Sequence, residues 1–297
     1  MYPEFEERSS QLPIIVGVDA SSASRQALLW AAHESRRRRT RLMLVPTTRP
    51  PVLYYGNGMG VWASIDVDTF RTDECQALLD EALTVAADVT KGAVAAEITN
   101  NQPTVQPVVD LIERSHRAQM IVLGAHGPGK HVGALARSVA AHSPCPVVIL
   151  HHSPKHQIPA TGPVVLGIND ATTSAPTVEA AFEEASLRCV DLVVIHRWST
   201  DATEACDDSV LEWALELEEY TALSEELKPW QQRFPSVTVR LGAVRTSARR
   251  ALVEAASDAQ LVVVGRRDTT WLGALRPTTA TALLRRLECP LMIVHHS

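Results

Sequence analysis

The sequence predicts an α/β protein made of two similar domains, each with a doubly wound, five-stranded parallel sheet. The first observation is a duplication. "PIIVGVDASSAS" at 13–24 matches "PVVLGINDATTS" at 163–174, and "SPCPVVILHHS" at 143–153 matches "LECPLMIVHHS" at 287–297. The second observation is that each half contains five short apolar runs separated by helix-length segments. Continuous Val, Ile and Leu runs of this kind are typical of strands buried on both faces of a parallel sheet.

The two halves indicate a duplicated domain, because a repeat of this length is far too long for a solenoid. A chain of 297 residues also has about the length of two ordinary domains. We therefore expect domains at 1–153 and 154–297. The segment "HSPKHQIPATG" has the polar, proline-containing character of a linker between them.

The strands are expected in the same order in both halves. In the first half the apolar runs predict them at 13–18, 41–46, 94–98, 119–123 and 145–150. In the second half they are predicted at 163–168, 191–196, 237–241, 260–264 and 289–294. Helix-length spacers between parallel strands imply right-handed crossovers, which give a doubly wound sheet.

The first spacer, "SASRQALLWAAHESRRRR", predicts a helix. Ser22 or Ser24 can cap its start, and the arginines 36–39 fall at its negative C-terminal end, where we expect them to be solvated. Its apolar face consists of Ala27, Leu28, Ala31 and Ala32.

Two segments depart from the regular pattern. Residues 47–64 are rich in proline, glycine and aromatic residues, and they predict a long loop that acts as a mobile flap over a first-half site. Residues 201–226 carry ten acidic side chains around several leucines and predict a solvated covering helix.

Composition excludes several classes of protein. With 45% hydrophobic and 21% charged residues and apolar runs far shorter than the ~20 residues of a membrane span, the chain predicts a cytoplasmic globular protein. The net charge of -6 gives no reason to expect nucleic acid.

The five cysteines form no CxxC pair, so neither disulfides nor a zinc site is predicted, and Cys145 and Cys289 should pack as buried residues. The paired histidines at the ends of the closing strands predict no metal site, because neighbours on a strand point to opposite faces.

Candidate ligand loops follow strands one and four, since ligands of open parallel sheets bind where the winding direction reverses. Asp19 follows strand one. After strand four comes "GAHGPGKHVGALARSVA", whose glycines can let backbone amides approach a phosphate at a helix start. An ordinary strand-to-helix turn remains the alternative for this loop.

Two nucleotide-binding motifs do not fit that loop. The dinucleotide fingerprint needs its glycines directly after strand one, where only Gly17 lies. The match of "GAHGPGKH" to a P-loop ends in His131, where a Ser or Thr is needed to hold magnesium. A P-loop ATPase is therefore not predicted.

The duplicated unit beginning "IIVGVDASSASRQALLWAA", with a glycine-rich segment after strand four and a closing "CPVVIL" strand, resembles a tandem-type universal stress protein over nearly the whole chain. This resemblance implies a Rossmann-like fold related to the adenine nucleotide alpha hydrolases. It also implies a stress-response regulator that binds ATP, with Mg²⁺ left open, and that hydrolyses it slowly at most. ATP-binding members show G-x2-G-x9-G-[S/T] after strand four, with the strand-one Asp near the adenine.

The resemblance also implies the site residues; no catalytic residue is assigned. In the first half the cofactor contacts are Asp19, Val45, Gly124, Gly127, Gly129, Lys130, Arg137, Ser138 and Val139. A second, weaker site is formed by Asn169, Gly265, Arg267, Thr278 and Thr279.

The two halves depart from the family pattern in different ways. Arg137 replaces the third glycine of the first half, but it keeps a backbone N–H and adds a positive charge. In the second half Asn169 replaces the strand-one Asp, and Asp268 places a carboxylate where phosphate would lie. We therefore expect ATP mainly in the first half. The alternative is a degenerate member that binds no nucleotide and acts as an interaction scaffold. Either form is expected to pair through its closing strands, as a homodimer or an intramolecular pseudo-dimer.

Overall fold

A computed structural model divides the chain into two compact units, Met1–His152 and Ser153–Ser297. Each unit is described by itself below. The residues that the structure describes are 12–47, 67–98, 106–125, 133–151, 161–168, 175–197, 209–244, 248–267, 283, 287 and 289–296.

The first unit alternates strands and helices along the chain. Its described strands are β1 (Ile14–Val18), β2 (Leu42–Pro46), β3 (Ala96–Ile98), β4 (Met120–Gly124) and β5 (Val147–Leu150). Its described helices are α1 (Ser22–Arg38), α2 (Val67–Thr90), α3 (Pro107–Ser115) and α4 (Ala134–His142). All the strand pairs are parallel, in the spatial order β3-β2-β1-β4-β5.

The second unit repeats this topology. Its described strands are β6 (Val164–Ile168), β7 (Leu192–Arg197), β8 (Val239–Val244), β9 (Leu261–Arg267) and β10 (Leu291–His296). Its described helices are α5 (Ala175–Arg188), α6 (Ser209–Arg233) and α7 (Ala248–Ala255). The strand order is β8-β7-β6-β9-β10, again parallel throughout.

The predicted fold class is confirmed. Each predicted strand overlaps an observed one. The central strands are buried, as their unbroken apolar runs indicate, whereas the edge strand β3 is partly exposed. In the first unit the order places β1 between β2 and β4, so the winding direction reverses between β1 and β4. The loops after strands one and four therefore leave from neighbouring strands at the switch point.

Helix α1 begins one residue earlier than the predicted caps imply. Ser21 is the N-cap, and its Oγ accepts the N–H of Ser24 at 3.1 Å. The prediction of Ser22 or Ser24 as the cap was wrong, because both lie inside the helix and the Ser24 hydroxyl donates to the Gly17 carbonyl instead. The predicted apolar face is buried.

The arginines at the C-terminal end of α1 are largely solvated, as predicted, and Arg38 alone among them is half-buried. Glu34 is fully buried and accepts hydrogen bonds from Arg37 Nη1 and Arg38 Nε, both at 2.7 Å. The arginine run therefore contains the counter-charges of a buried carboxylate. The helix ends at Arg39, whose φ of 52° is left-handed, so the chain turns toward β2.

Helix α6 confirms the helix predicted within the acidic segment. Leu223 and Leu227 are buried on one side of α6, while Leu217 and Tyr220 are exposed. Near its C-terminal end, Phe182 of α5 stacks on Trp230 at 6.5 Å and on Phe234 at 5.7 Å between ring centroids. An aromatic cluster therefore fills the space between α5 and α6.

Candidate functional site

The turn between β1 and α1 holds Asp19 in a fixed position. The Asp19 carboxylate accepts the N–H of Ser21 through Oδ1 at 2.8 Å, and the Asp19 N–H donates to Ser24 Oγ at 2.9 Å. Such a side-chain turn lets a short polar residue organise its own backbone before a helix. Asp19 is half-buried. The turn therefore presents its carboxylate at the carboxyl end of β1 with little freedom to move.

A cavity of about 320 Å³ opens beside this turn, between α1 and α2. Val18, Leu28 and Ala82 form its buried floor. Asp19 is the one residue among the predicted nucleotide contacts that lies in the described lining of this cavity.

Gly124, at the end of β4, packs directly on the first turn of α1. A Cβ at this position would lie 2.7 Å from both the Ala23 carbonyl carbon and the Ser24 backbone nitrogen. These are backbone atoms that cannot move aside easily, so a glycine is needed there for packing alone. The contact also joins the two loops of the switch point, since α1 begins just after Asp19 and β4 ends at Gly124.

Helix α4 begins at a glycine. Gly133 is its N-cap, and the Gly133 N–H donates to the Ala125 carbonyl at 2.8 Å. The first-turn N–H groups of a helix have no intrahelical partner, so those of residues 134–136 are available for an anion or water. The sequence placed Gly133 in the glycine-rich candidate phosphate loop but not among the cofactor contacts that the family resemblance implies.

The predicted contacts at 137–139 lie deeper in α4 than the motif spacing implied. The Arg137 N–H donates to the Gly133 carbonyl at 3.2 Å, as in a regular helical turn, so this amide is not available to phosphate. The Arg137 side chain is exposed, Ser138 is half-buried and Val139 is fully buried. Among these residues, the exposed guanidinium of Arg137 is the group best placed to reach an anion.

The closing strands align the two halves of the chain better than the glycine spacing of the family motif does. Cys145 and Cys289 precede β5 and β10 in the matching segments, so equivalent positions there differ by 144 residues (289 minus 145). Val139 and Leu283, which this register pairs, are both fully buried. It aligns Gly133 with position 277 and residue 134 with Thr278. Because Thr278 is a predicted contact of the second half, this alignment places the equivalent contact of the first half at residue 134, next to Gly133. A comparison of the two closing segments could therefore have identified the start of α4 from sequence.

The remaining predicted residues divide into two groups. Val45 lies in β2 opposite Gly17, with its side chain buried. Gly265 lies in β9 opposite Val294, and Arg267 ends that strand. The rest fall outside the described residues and stay predictions: Gly127, Gly129, Lys130, Asn169, Thr278 and Thr279. The predicted flap also lies outside them, except for Thr47, whose N–H and hydroxyl both donate to the Val18 carbonyl.

Within the described ranges, no cluster of three or more His, Cys, Asp or Glu side chains could hold a metal ion. The cysteines expected to pack as buried residues do so. Burial raises the pKa of the Cys145 thiol to about 11 and that of the Cys289 thiol to about 12. Both thiols therefore stay protonated and unreactive near neutral pH. No helix in the described part of the chain is long and apolar enough to cross a lipid bilayer.

Comparison with known proteins agrees with this architecture. The model of the universal stress protein family matches residues 12–151 and again 161–295. The chain belongs to the universal stress protein family. The two matches correspond to its two halves, so it is a two-domain universal stress protein.

Similar universal stress proteins occur in Mycobacterium tuberculosis. One, from strain H37Rv, is 30% identical over 305 residues, covering 97% of this chain and 98% of the relative. Another from the same strain is 34% identical over 280 residues, covering 87% of this chain and 86% of the relative.

Among solved structures, a universal stress protein from Archaeoglobus fulgidus matches with a TM-score of 0.68. The match covers 97% of this chain and 98% of that one at 17% identity, which supports the fold alone.

Proposed function

We propose that this universal stress protein binds ATP in its first half and acts as a stress-response regulator, with slow hydrolysis at most. The observation that carries the proposal is the meeting of β1 and β4 at the switch point. There Gly124 packs on the start of α1, next to the turn that fixes Asp19. Ligands of doubly wound sheets bind at this place.

The start of α4 supplies what a phosphate would need. Its N-cap is Gly133, which has no Cβ to obstruct an anion, and the first-turn amides follow at once. Arg137 lies one turn further along with an exposed side chain. A guanidinium there can pair with phosphate oxygens, while Asp19 on the neighbouring strand can accept a donor from the base.

The second half is proposed to bind ATP more weakly. Its sequence has Asn169 at the position of Asp19, and Asp268 introduces a carboxylate close to the proposed phosphates. Two unit charges ~4 Å apart repel by about 1 kcal/mol in water and by about 4 at an effective dielectric constant of 20. A net loss of about 2–3 kcal/mol would weaken a site by roughly 30- to 150-fold.

Isothermal titration calorimetry of the full chain tests both statements. We expect about one ATP per chain, with or without Mg²⁺, and loss of binding in Gly127→Asp. The matched control Thr278→Ala should bind ATP like the wild type, because it changes the weaker site. Two sites of equal strength would contradict the asymmetry.

The alternative function is that of a scaffold without nucleotide. Gly124 favours it in one respect, because packing on α1 explains this glycine without any ligand. In the calorimetry experiment, no heat at millimolar ATP would select the scaffold. Pairing through the closing strands and a cytoplasmic location remain part of the proposal. Deletion of residues 289–297 should yield insoluble protein or a changed oligomer if the closing strands do pair.

A further inference from the structure

We propose that a basic surface of the first unit binds an acidic face of helix α6 in a second copy of this chain. The basic edge consists of five exposed arginines where the strands of the first unit begin: Arg36, Arg37, Arg39, Arg41 and Arg117. The acidic face consists of four exposed residues of α6: Leu217, Glu218, Tyr220 and Glu225. This inference concerns self-association and does not depend on nucleotide binding.

The fold gathers the basic edge from segments that are far apart in sequence. β1 pairs with β2 on one side and with β4 on the other, so the segments that precede β2 and β4 lie about 10 Å apart. Arg41 directly precedes β2, and Arg117 lies three residues before β4. Arg38 Nη1 donates to Gln119 Oε1 at 3.5 Å, which joins the end of α1 to the start of β4. The arginines at the end of α1 therefore lie on the same side of the unit as Arg41 and Arg117.

The packing of this helix end does not require so many arginines. Matching positions of the two halves differ by 150 residues here (163 minus 13), so Arg38 corresponds to Arg188. Each of these two arginines pairs with the buried carboxylate four residues earlier. The positions that match the other four arginines of the segment hold no cation in the second half: Ser186, Leu187, Cys189 and Asp191. The same helix end therefore forms without these charges.

The position of Arg117 shows the same contrast. Gln119 and Gln260 are equivalent, because each donates its backbone N–H to the proline that directly precedes the first strand of its half. Two residues before them stand Arg117 in the first half and Asp258 in the second, both exposed. The charge is therefore reversed at an equivalent surface position, where packing does not determine it.

The basic edge is available to an acidic partner. In the described part of the chain, Arg36, Arg39 and Arg117 form no ion pair. Arg41 Nη1 lies 3.7 Å from Glu97 Oε2, and these side chains are 53% and 48% exposed. Exposed pairs of this kind contribute little stability, so a carboxylate of a partner can replace Glu97 at little cost.

The titration of His33 agrees with a positive potential at this edge. Partial desolvation, and after it the charges of Arg37 and Arg36, lower the pKa of His33 from its ordinary value. A surface that opposes one more positive charge attracts carboxylates.

The acidic face of α6 carries the complementary charge. It belongs to the segment 201–226, which has ten acidic residues. Glu218 and Glu225 are seven residues apart and therefore lie on the same side of the helix. Within the described ranges Glu218 forms no ion pair, and Glu225 Oε1 lies 2.5 Å from Lys228 Nζ with both side chains more than half exposed. These carboxylates can therefore turn to cations of a partner.

Leu217 and Tyr220 add an apolar part to the acidic face. They lie one turn apart and are 49% and 44% exposed. An arginine pairs with a carboxylate while its methylene groups cover an apolar side chain or its guanidinium stacks on a tyrosine ring. A row of arginines therefore fits both the charge and the apolar surface of this face, and the chain itself carries such a row. A second copy is the partner that fits both surfaces.

Sedimentation velocity of the full chain, at several protein concentrations, tests this contact. At about 0.1 M salt we expect an association that grows with protein concentration. At about 1 M salt the screening length falls from about 10 Å to about 3 Å, so the association should weaken at least about tenfold. Pairing through the apolar closing strands should instead persist at high salt. An association that is absent at low salt, or equally strong at high salt, overturns the inference.

Reversal of charge on either surface should break the contact. Arg36→Glu/Arg39→Glu changes the basic edge, and Glu218→Lys/Glu225→Lys changes the acidic face. Each should weaken the association at least about tenfold, because like charges then face each other. Arg117→Glu serves for the basic edge if the first variant does not fold. Association that survives in a folded variant of either surface overturns the inference.

The matched control is Arg240→Glu/Arg250→Glu, which changes the net charge equally at side chains that are 71% and 73% exposed on β8 and α7. It should associate like the wild type, and a control that is weakened as much as the variants overturns the inference. An equal mixture of the two double variants should associate again, because each copy then presents the charge that the altered surface of the other needs. A mixture that stays dissociated overturns the inference, as does binding of a labelled DNA duplex by the basic edge in place of self-association.

Discussion

Helices α1 and α5 are equivalent in the two halves of the chain. Their C-terminal ends share the same features, whereas their N-terminal ends differ in sequence. At the C-terminal end, the buried carboxylates Glu34 and Glu184 are both paired with an arginine four residues later. Each helix then ends at a left-handed residue, Arg39 with φ 52° and Cys189 with φ 53°. At the N-terminal end the sequences diverge, from "DASSAS" in the first half to "NDATTS" in the second.

This difference separates packing from ligand binding. The C-terminal ends lie at the opposite edge of each sheet from the proposed sites, and a buried charge there must keep its partner whatever the protein binds. The N-terminal turns lie at the carboxyl ends of the strands, where ligands of such sheets bind. We therefore expect substitutions at the shared features to affect stability in both halves, and substitutions at the divergent turns to affect binding in one.

The largest effect is expected at the buried ion pair of the second unit. Glu184→Gln removes the charged partner of this ion pair from Arg188, whose side chain is only 2% exposed. Loss of one partner of a buried pair costs about 3–5 kcal/mol of unfolding free energy. Glu34→Gln should cost less, about 1–3 kcal/mol, because Arg37 and Arg38 are more exposed and can reach water.

Urea denaturation measures both variants of this comparison. The control is Glu254→Gln, whose exposed partner Arg250 should make the change worth less than about 1 kcal/mol. Equal losses of unfolding free energy in Glu184→Gln and Glu34→Gln would contradict the explanation that the burial of the partner arginine makes the first loss larger.

The next effect is a loss of stability at alkaline pH that the two halves should share. Burial raises the pKa of Cys145 and Cys289 above the ordinary 9.0, so the unfolded chain loses these protons first. Their contribution is complete below pH 9 and falls above it by about 1.4 kcal/mol per pH unit per thiol. The decline ends near pH 11 for Cys145 and near pH 12 for Cys289. Unfolding free energies of Cys145→Ala, Cys289→Ala and wild type at pH 8, 10 and 11 should show a shallower decline in each variant. If the unfolding free energies of the wild type and both variants decline in parallel with pH, neither thiol causes the loss of stability.

A smaller effect is expected for the glycine at the switch point. Gly124→Ala forces a Cβ against the backbone of α1 and should cost about 1–3 kcal/mol through strain. The matched control is Gly242→Ala in β8, whose Cβ would meet mainly the flexible Ile195 side chain at 3.2 Å. Thermal unfolding should separate the two variants. A Gly124→Ala protein as stable as wild type would leave nucleotide approach as the reason for this glycine.

The smallest effect is expected at the divergent turn itself. Ser21→Ala removes the N-cap hydrogen bond to Ser24 and should cost about 1 kcal/mol. Ser21→Asp keeps an acceptor there and should restore the loss. Urea denaturation measures the difference, and failure of Asp to restore stability would show that the hydroxyl has another role.

The sequence allowed most of the fold to be predicted. Unbroken apolar runs located the strands, because a strand buried on both faces excludes polar residues at every position. The duplicated segments indicated two domains, and the switch point followed from the strand order that such units adopt. The candidate site was harder to predict from the sequence. The spacing of the glycines assigned Arg137 as a backbone contact, whereas α4 had already begun at residue 134 and its own turn uses that amide.

Local sequence by itself determined the helices and strands, the position of the arginines at the C-terminal end of α1 and the burial of Cys145. Each of these depends on side chains that are close along the chain. The tertiary structure alone decided that the side chain of Glu34 is buried and paired with its arginines, and that Gly124 contacts Ala23. It also decided that a cavity lies between α1 and α2. The reason is physical: burial, close approach and empty space depend on the distance between segments far apart in sequence, and no local pattern encodes that distance.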